Sequence, residues 1–162
     1  MQTTNLRDQN HAGFSLIELL IVVAIIGIIA SIAIPNLLAS KRAANEGSAQ
    51  QAMRTISSCE TAYKFSYGNG SFADLPTLGA KVMTDSVLSS GTKSGYSFVA
   101  TPLAGPPEQF WAYAYPVTTS GFAATGTRRF AMSEDGVMRG DTDLTAPPAS
   151  LADVQAMSPM GN

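Results

Sequence analysis

Gly13-Phe14-Ser15-Leu16-Ile17-Glu18 opens an apolar run that continues without a further charge to Ile34. Read as a helix at ~1.5 Å per residue, the run is long enough to cross the ~30 Å hydrocarbon layer of a bilayer. A carboxylate at its head is costly in lipid, so Glu18 asks for a partner. Three readings compete. A secretory signal has an apolar region of about 7–15 residues and then a small-x-small cleavage site. Ser31-Ile32-Ala33 offers such a site, but the run is too long and Glu18 interrupts its start. A plain single-pass anchor accounts for the length and leaves Glu18 uncompensated. The third reading removes a short hydrophilic leader after Gly13. Cleavage there gives Phe14 a new α-amino group, largely cationic at neutral pH, four residues ahead of Glu18. That amine can pair with Glu18 of its own helix, one turn away, or with Glu18 of a neighbour. An intermolecular pair neutralises both charges and fixes the axial offset of two helices, as a buried polar group sets register in a coiled coil. Only this reading gives every odd feature a role.

The segment from Gly13 through Ala30, with Pro35 as the twenty-second residue after the cut, resembles the class III signal of type IV pilins and type II secretion pseudopilins. The resemblance is dense over residues 13–45 and loose beyond residue 70. It implies that a membrane-bound prepilin peptidase cleaves between Gly13 and Phe14 and N-methylates Phe14. It also implies that Glu18 guides addition of the subunit to a growing helical filament. The implied partners are copies of the chain itself, an inner-membrane platform protein and a cytoplasmic assembly ATPase. The implied location is the bacterial inner membrane before assembly, and a surface pilus or periplasmic pseudopilus afterwards.

Beyond the apolar run, Ala49, Ala52, Met53, Ile56, Cys59 and Tyr63 recur at helical spacing, with Arg54, Glu60 and Lys64 between them. Phe14 to Tyr67 therefore reads as one helix of about 54 residues, ~80 Å long, stopped by Gly68-Asn69-Gly70. Gly27 and Pro35 are its weak points: proline removes a donor and crowds the carbonyl of Ser31. Residues 27–35 either stretch on passage from bilayer to filament or form a static kink. Tyr63 and Tyr67 are expected to bury against a sheet.

Residues 71–162 read as a small antiparallel sheet of three or four strands. Tyr96–Ala100 and Phe110–Tyr115 carry strand character, and Arg128–Met132 with Val137–Arg139 suggest a hairpin. Ser133-Glu134-Asp135-Gly136 would form its turn, Asp-Gly supplying positive φ. Asp74-Leu75-Pro76 and the stretch from Asp85 to Gly95 read as loop, with a short helix near Thr84–Leu88. From Thr145 the Pro, Ala and Ser content predicts a poorly ordered tail. The expected organisation is thus α+β. Residues 1–13 are leader, 14–34 membrane or filament-core helix, 35–68 its amphipathic continuation, 69–144 a sheet domain and 145–162 a tail.

Site chemistry is sparse. The 162-residue chain has one cysteine and one histidine, His11, which leaves with the leader. A Ser-His-Asp triad or a histidine-bearing zinc site cannot then be built, and no enzymatic role is expected. Cys59 reads as a packing residue. The net charge of −2 does not favour nucleic acid. Arg128 and Arg129, adjacent on a strand, point to opposite faces. Glu134, Asp135, Asp141 and Asp143 form an acidic cluster without helix-loop-helix calcium spacing. Some major pseudopilins hold calcium in a C-terminal loop, which keeps that one cofactor open. The function expected is the structural subunit of a type IV pilus. The alternatives are a type II secretion pseudopilin and a membrane-anchored periplasmic binding or enzymatic domain.

Overall fold

The computed structural model of the chain describes residues 13–106 and 108–161, so the leader expectation for residues 1–12 lies outside them. Helix α1 spans Leu16–Ser66. Its stop comes where expected: Gly68 N–H donates to the Tyr63 carbonyl at 2.8 Å and Gly70 N–H to Lys64 at 3.0 Å. Asn69 and Gly70 supply the left-handed conformations, with φ of 48° and 96°.

The chain divides into a unit of residues 1–37 and a unit of residues 38–162, and α1 contributes to both. In the first unit the Leu, Ile and Val side chains of α1 stand exposed. In the second, Ala49, Ala52, Met53 and Ile56 are buried at three- and four-residue spacing, with Cys59 and Tyr63 packed beside them. Tyr67 departs from expectation. It lies just past the end of α1, 58% exposed, and stacks on Tyr63 with ring centroids 6.3 Å apart.

Five strands, one more than the highest expectation, form an antiparallel meander: β1 Thr92–Lys93, β2 Tyr96–Leu103, β3 Gln109–Pro116, β4 Arg129–Ser133 and β5 Arg139–Asp141. Strands β2 and β3 pair in register from Tyr96↔Pro116 to Leu103↔Gln109. Period-two alternation turns Tyr96, Phe98, Ala100, Phe110, Ala112, Ala114, Phe130 and Met132 into one core with α1. Gly126 is required there. A Cβ on it would collide with the Tyr96 hydroxyl, which donates to the Arg128 carbonyl at 2.8 Å.

Several local expectations are corrected. Asp74-Leu75-Pro76 is the start of helix α2, Leu75–Lys81, and not loop. The Asp74 carboxylate accepts from Thr77 N–H at 3.0 Å, and a proline in the first turn has no donor to lose. The short helix α3 is Ser86–Ser89, capped by Asp85, which accepts from the N–H groups of Val87 and Leu88. The β4–β5 hairpin exists, but its second strand is Arg139–Asp141, and of Asp135-Gly136 only Gly136 has positive φ, 71°. The expected tail is ordered. Ser150 caps helix α4, Leu151–Ala156, whose Val154 joins Met157, Trp111 and Ala131 in a second core on the opposite sheet face. Composition hid that helix, because one apolar stripe among Ala, Ser and Pro is enough to seat it. Met160 N–H then donates to the Met138 carbonyl at 2.8 Å, and Pro159 bridges Arg139.

Candidate functional site

The head of α1 is built from a local capping rule. Ser15 precedes the helix, and Glu18, three residues on, reaches back so that its Oε2 accepts Ser15 N–H at 2.9 Å. Ser-x-x-Glu is the signature of a capping box, and this signal was available in the sequence beside the charge argument. Glu18 therefore satisfies one orphan backbone donor of its own helix and stands at the surface, where a second donor can reach it. Phe14, 85% exposed, lies beside it.

Neither glycine of the segment is demanded by the fold. A Cβ at Gly13 or at Gly27 would meet nothing within 4 Å. Pro35 sits inside α1, which runs unbroken through it, and Ser31 Oγ donates to the Ile28 carbonyl at 2.7 Å just before it. By length and composition α1 is able to cross a membrane, and none of its apolar window is buried. The first unit thus presents an uncovered apolar surface with one carboxylate at its head.

The acidic cluster does not assemble. Asp135 pairs with Arg139, whose guanidinium holds its carboxyl down to about 2. Asp141 and Asp143 both engage Arg129, with Arg129 Nε to Asp141 Oδ1 at 2.7 Å. Glu134 accepts from Gln109 Nε2 at 2.8 Å. The four residues considered for calcium are thereby divided among separate partners, and among the described residues no group of three or more His, Cys, Asp or Glu converges to hold a metal. Each arginine was close enough along the hairpin to claim its aspartates. Arg128, expected on the strand, precedes β4 and is exposed, while Arg129 opens β4 and is paired with Asp141.

Sequence reasoning placed Glu60 among the polar residues between core positions. In the structure it is fully buried. Its Oε2 accepts Ala73 N–H at 3.0 Å, while Oε1, equally buried, has no hydrogen-bond partner among the described residues. Burial pushes its carboxyl up to about 7, the Ala73 N–H opposing and Asp74 adding to the shift. Burial, with Glu60 adjacent, also pushes the Cys59 thiol up, away from the reactive thiolate.

Comparison with known proteins agrees with the head of α1. The family model for the prokaryotic N-terminal methylation motif matches residues 8–34. Over 38 residues, 24% of this chain, the sequence is 60% identical to the type IV wide pilus major component PilA4 of Thermus thermophilus, and the match covers 29% of that protein. No solved structure matches the chain. The head of α1 is therefore similar to the N-terminal part of a type IV pilin, a likeness confined to 24% of this chain and 29% of that relative.

Proposed function

We propose that this chain is a structural subunit that polymerises through residues 14–34 into a type IV pilus. The observation that carries the reading is the uncovered apolar half of α1 with Glu18 at its head. Apolar area left exposed at about 25 cal/mol per Å² is a large driving force, satisfied first by lipid and then by other copies of the helix. Packing in a filament core replaces lipid contacts with van der Waals contacts between helices, and Gly27 leaves a notch for a neighbour. Removal of residues 1–13 by a prepilin peptidase exposes the Phe14 amine, which is then methylated and meets Glu18 of an adjacent subunit. An inner-membrane platform protein and an assembly ATPase would lift the subunit out of the inner membrane, where α1 spans once. The pilus reading is preferred to the pseudopilus because the named relative is a pilus component.

Mass spectrometry of the membrane form tests the processing step. Loss of residues 1–13 with one methyl on Phe14 is the expected result, and Gly13→Ser should trap the precursor. A functional chain that retains Met1 would overturn it. Electron microscopy of sheared surface material, probed for this chain, separates pilus from pseudopilus: long external fibres are expected.

A further inference from the structure

Of the seven methionines in the sequence, Met53, Met83, Met132 and Met157 are buried, and among the described residues only Met138 and Met160 are half-buried. Those two lie together. Both line a groove of about 580 Å³ between α1 and the β4–β5 hairpin, within the unit of residues 38–162, with Arg54, Ser57 and Val137. Methionine is a common gap-filler, and both pack against the main core in that ordinary way. What sets the pair apart is the backbone between them. Met160 N–H donates to the Met138 carbonyl at 2.8 Å and Gly140 N–H to the Ser158 carbonyl at 3.1 Å, on either side of the bridge from Arg139 to Pro159. Residues 158–160 are thus laid along the outer edge of β5 as a strap, with Ser158 and Pro159 themselves exposed.

The Met160 side chain supplies the rest of the hold. Its Sδ lies 2.9 Å from the point a Cβ on Gly140 would occupy, and Phe130 Cδ1 and the Arg129 carbonyl oxygen each lie 3.2 Å from that same point. The absent side chain of Gly140 is therefore the recess in β5 that seats the thioether, beside an aromatic ring of the core. Solvent reaches Met160 from two sides, through the groove and through a second opening lined by Arg128, Thr142 and Pro159. An oxygen added to this sulfur would place one acceptor near another, the Arg129 carbonyl, in a recess shaped for an apolar group.

We propose that Met160 is a reversible oxidation site whose state decides whether residues 158–160 cover β5. The oxidant is hydrogen peroxide. A lone pair of Sδ attacks one peroxide oxygen and the O–O bond breaks. The thioether loses two electrons and becomes the sulfoxide, while the proton of the transferred hydroxyl passes to the departing one, which leaves as water. The sulfoxide quits the recess, and the two backbone hydrogen bonds of the strap go with it. Gly140 N–H and the Met138 carbonyl then face solvent. Reduction by methionine sulfoxide reductases returns the thioether and reseats the strap.

The test exposes the full chain in detergent to graded hydrogen peroxide, maps oxidised methionines by peptide mass spectrometry and reads amide exchange by NMR. Met138 and Met160 should be oxidised ahead of Met53, Met83, Met132 and Met157. Exchange of the Gly140 amide should rise roughly tenfold, the upper end of what a sulfur–aromatic contact is worth. Ladder alternation turns the Arg139 amide toward β4, so it serves as the reference and should not change. Met160→Leu should keep the Gly140 amide protected at every dose, Met138→Leu should behave as the parent does, and reductase treatment should restore protection. Met160 sulfoxide with unchanged Gly140 exchange overturns the switch. A rise in Met160→Leu assigns the effect to another sulfur and also overturns it. Oxidation of Met160 no sooner than the buried methionines overturns the site. Should Met160→Leu not fold, the peroxide and reductase arms on the parent chain decide by themselves.

Discussion

Glu18→Ala and Glu18→Gln are both expected, on the proposed pairing with the Phe14 amine, to be processed normally and yet to lose filament incorporation by roughly two hundred- to several-thousandfold. The magnitude follows from removing one partner of a desolvated ion pair, which costs about 3–5 kcal/mol because the remaining charge, here the Phe14 amine of the incoming subunit, stays buried and unpaired. Two variants are needed because Glu18 has a second role. Its carboxylate caps the helix through Ser15 N–H at 2.9 Å, and loss of a cap costs ~1 kcal/mol. Glutamine keeps an acceptor for that N–H and loses only the charge. If capping were the larger effect, Glu18→Gln would assemble almost normally while Glu18→Ala would not. Quantifying sheared filaments against membrane-retained, leader-free subunit distinguishes the cases. Normal filaments from Glu18→Gln would remove the electrostatic basis of register.

Glu60 governs the second large effect, on stability and not on assembly. Its folded-state pKa, about 7, lies above the unfolded reference of 4.5. The unfolded chain therefore releases this proton first. The stabilisation is full below about 4.5 and is lost as pH rises through about 7. At ~1.36 kcal/mol per pH unit the loss amounts to about 3 kcal/mol. Asp135 works in the opposite sense: its carboxyl is held down to about 2, so its contribution is lost only as pH falls below the ordinary aspartate range and does not overlap the Glu60 window. Glu60→Gln preserves an acceptor for Ala73 N–H and cannot ionise. Its urea midpoint, read from Trp111 fluorescence on the full chain in detergent, should be flat from pH 5 to 8, and above that of the parent at pH 8. A parent with no decline over that range, or a Gln variant with the same slope, would refute the assignment.

The same residue shows what could be read from sequence and what could not. Met53, Ile56 and the small residues around them carry a period that no other fold element would explain, so the core face of α1 was legible. Glu60 falls on that face by the same spacing, yet its type argued for the surface, and only the arrival of Ala73 N–H shows why it turns inward. The aromatic strand Phe110–Tyr115 declared itself through β-propensity, whereas β1 is two residues long and exists only because β2 is beside it. Helix α4 was missed for a related reason. Its stabilisation comes from Trp111 and Ala131 on a distant strand, which local composition does not report. For the candidate site, Gly13, Phe14 and Glu18 were singled out by the charge argument together with the resemblance to a prepilin signal, and Pro35 by that resemblance and its effect on a helix. The acidic cluster of the last hairpin was legible as composition, whereas its pairing was not: Arg129 and Arg139, ordinary in sequence, engage its aspartates in space.

Both borders of the sheet are closed to strand addition. On one side β1 offers two residues, with Lys93 tied to Asp85. On the other, Pro159, which has no N–H to donate, lies across β5. Among the described residues, neither border of the sheet therefore offers a free strand as a template for cross-β growth. Truncation before Ser158 would uncover β5 and open that border to amyloid-like stacking.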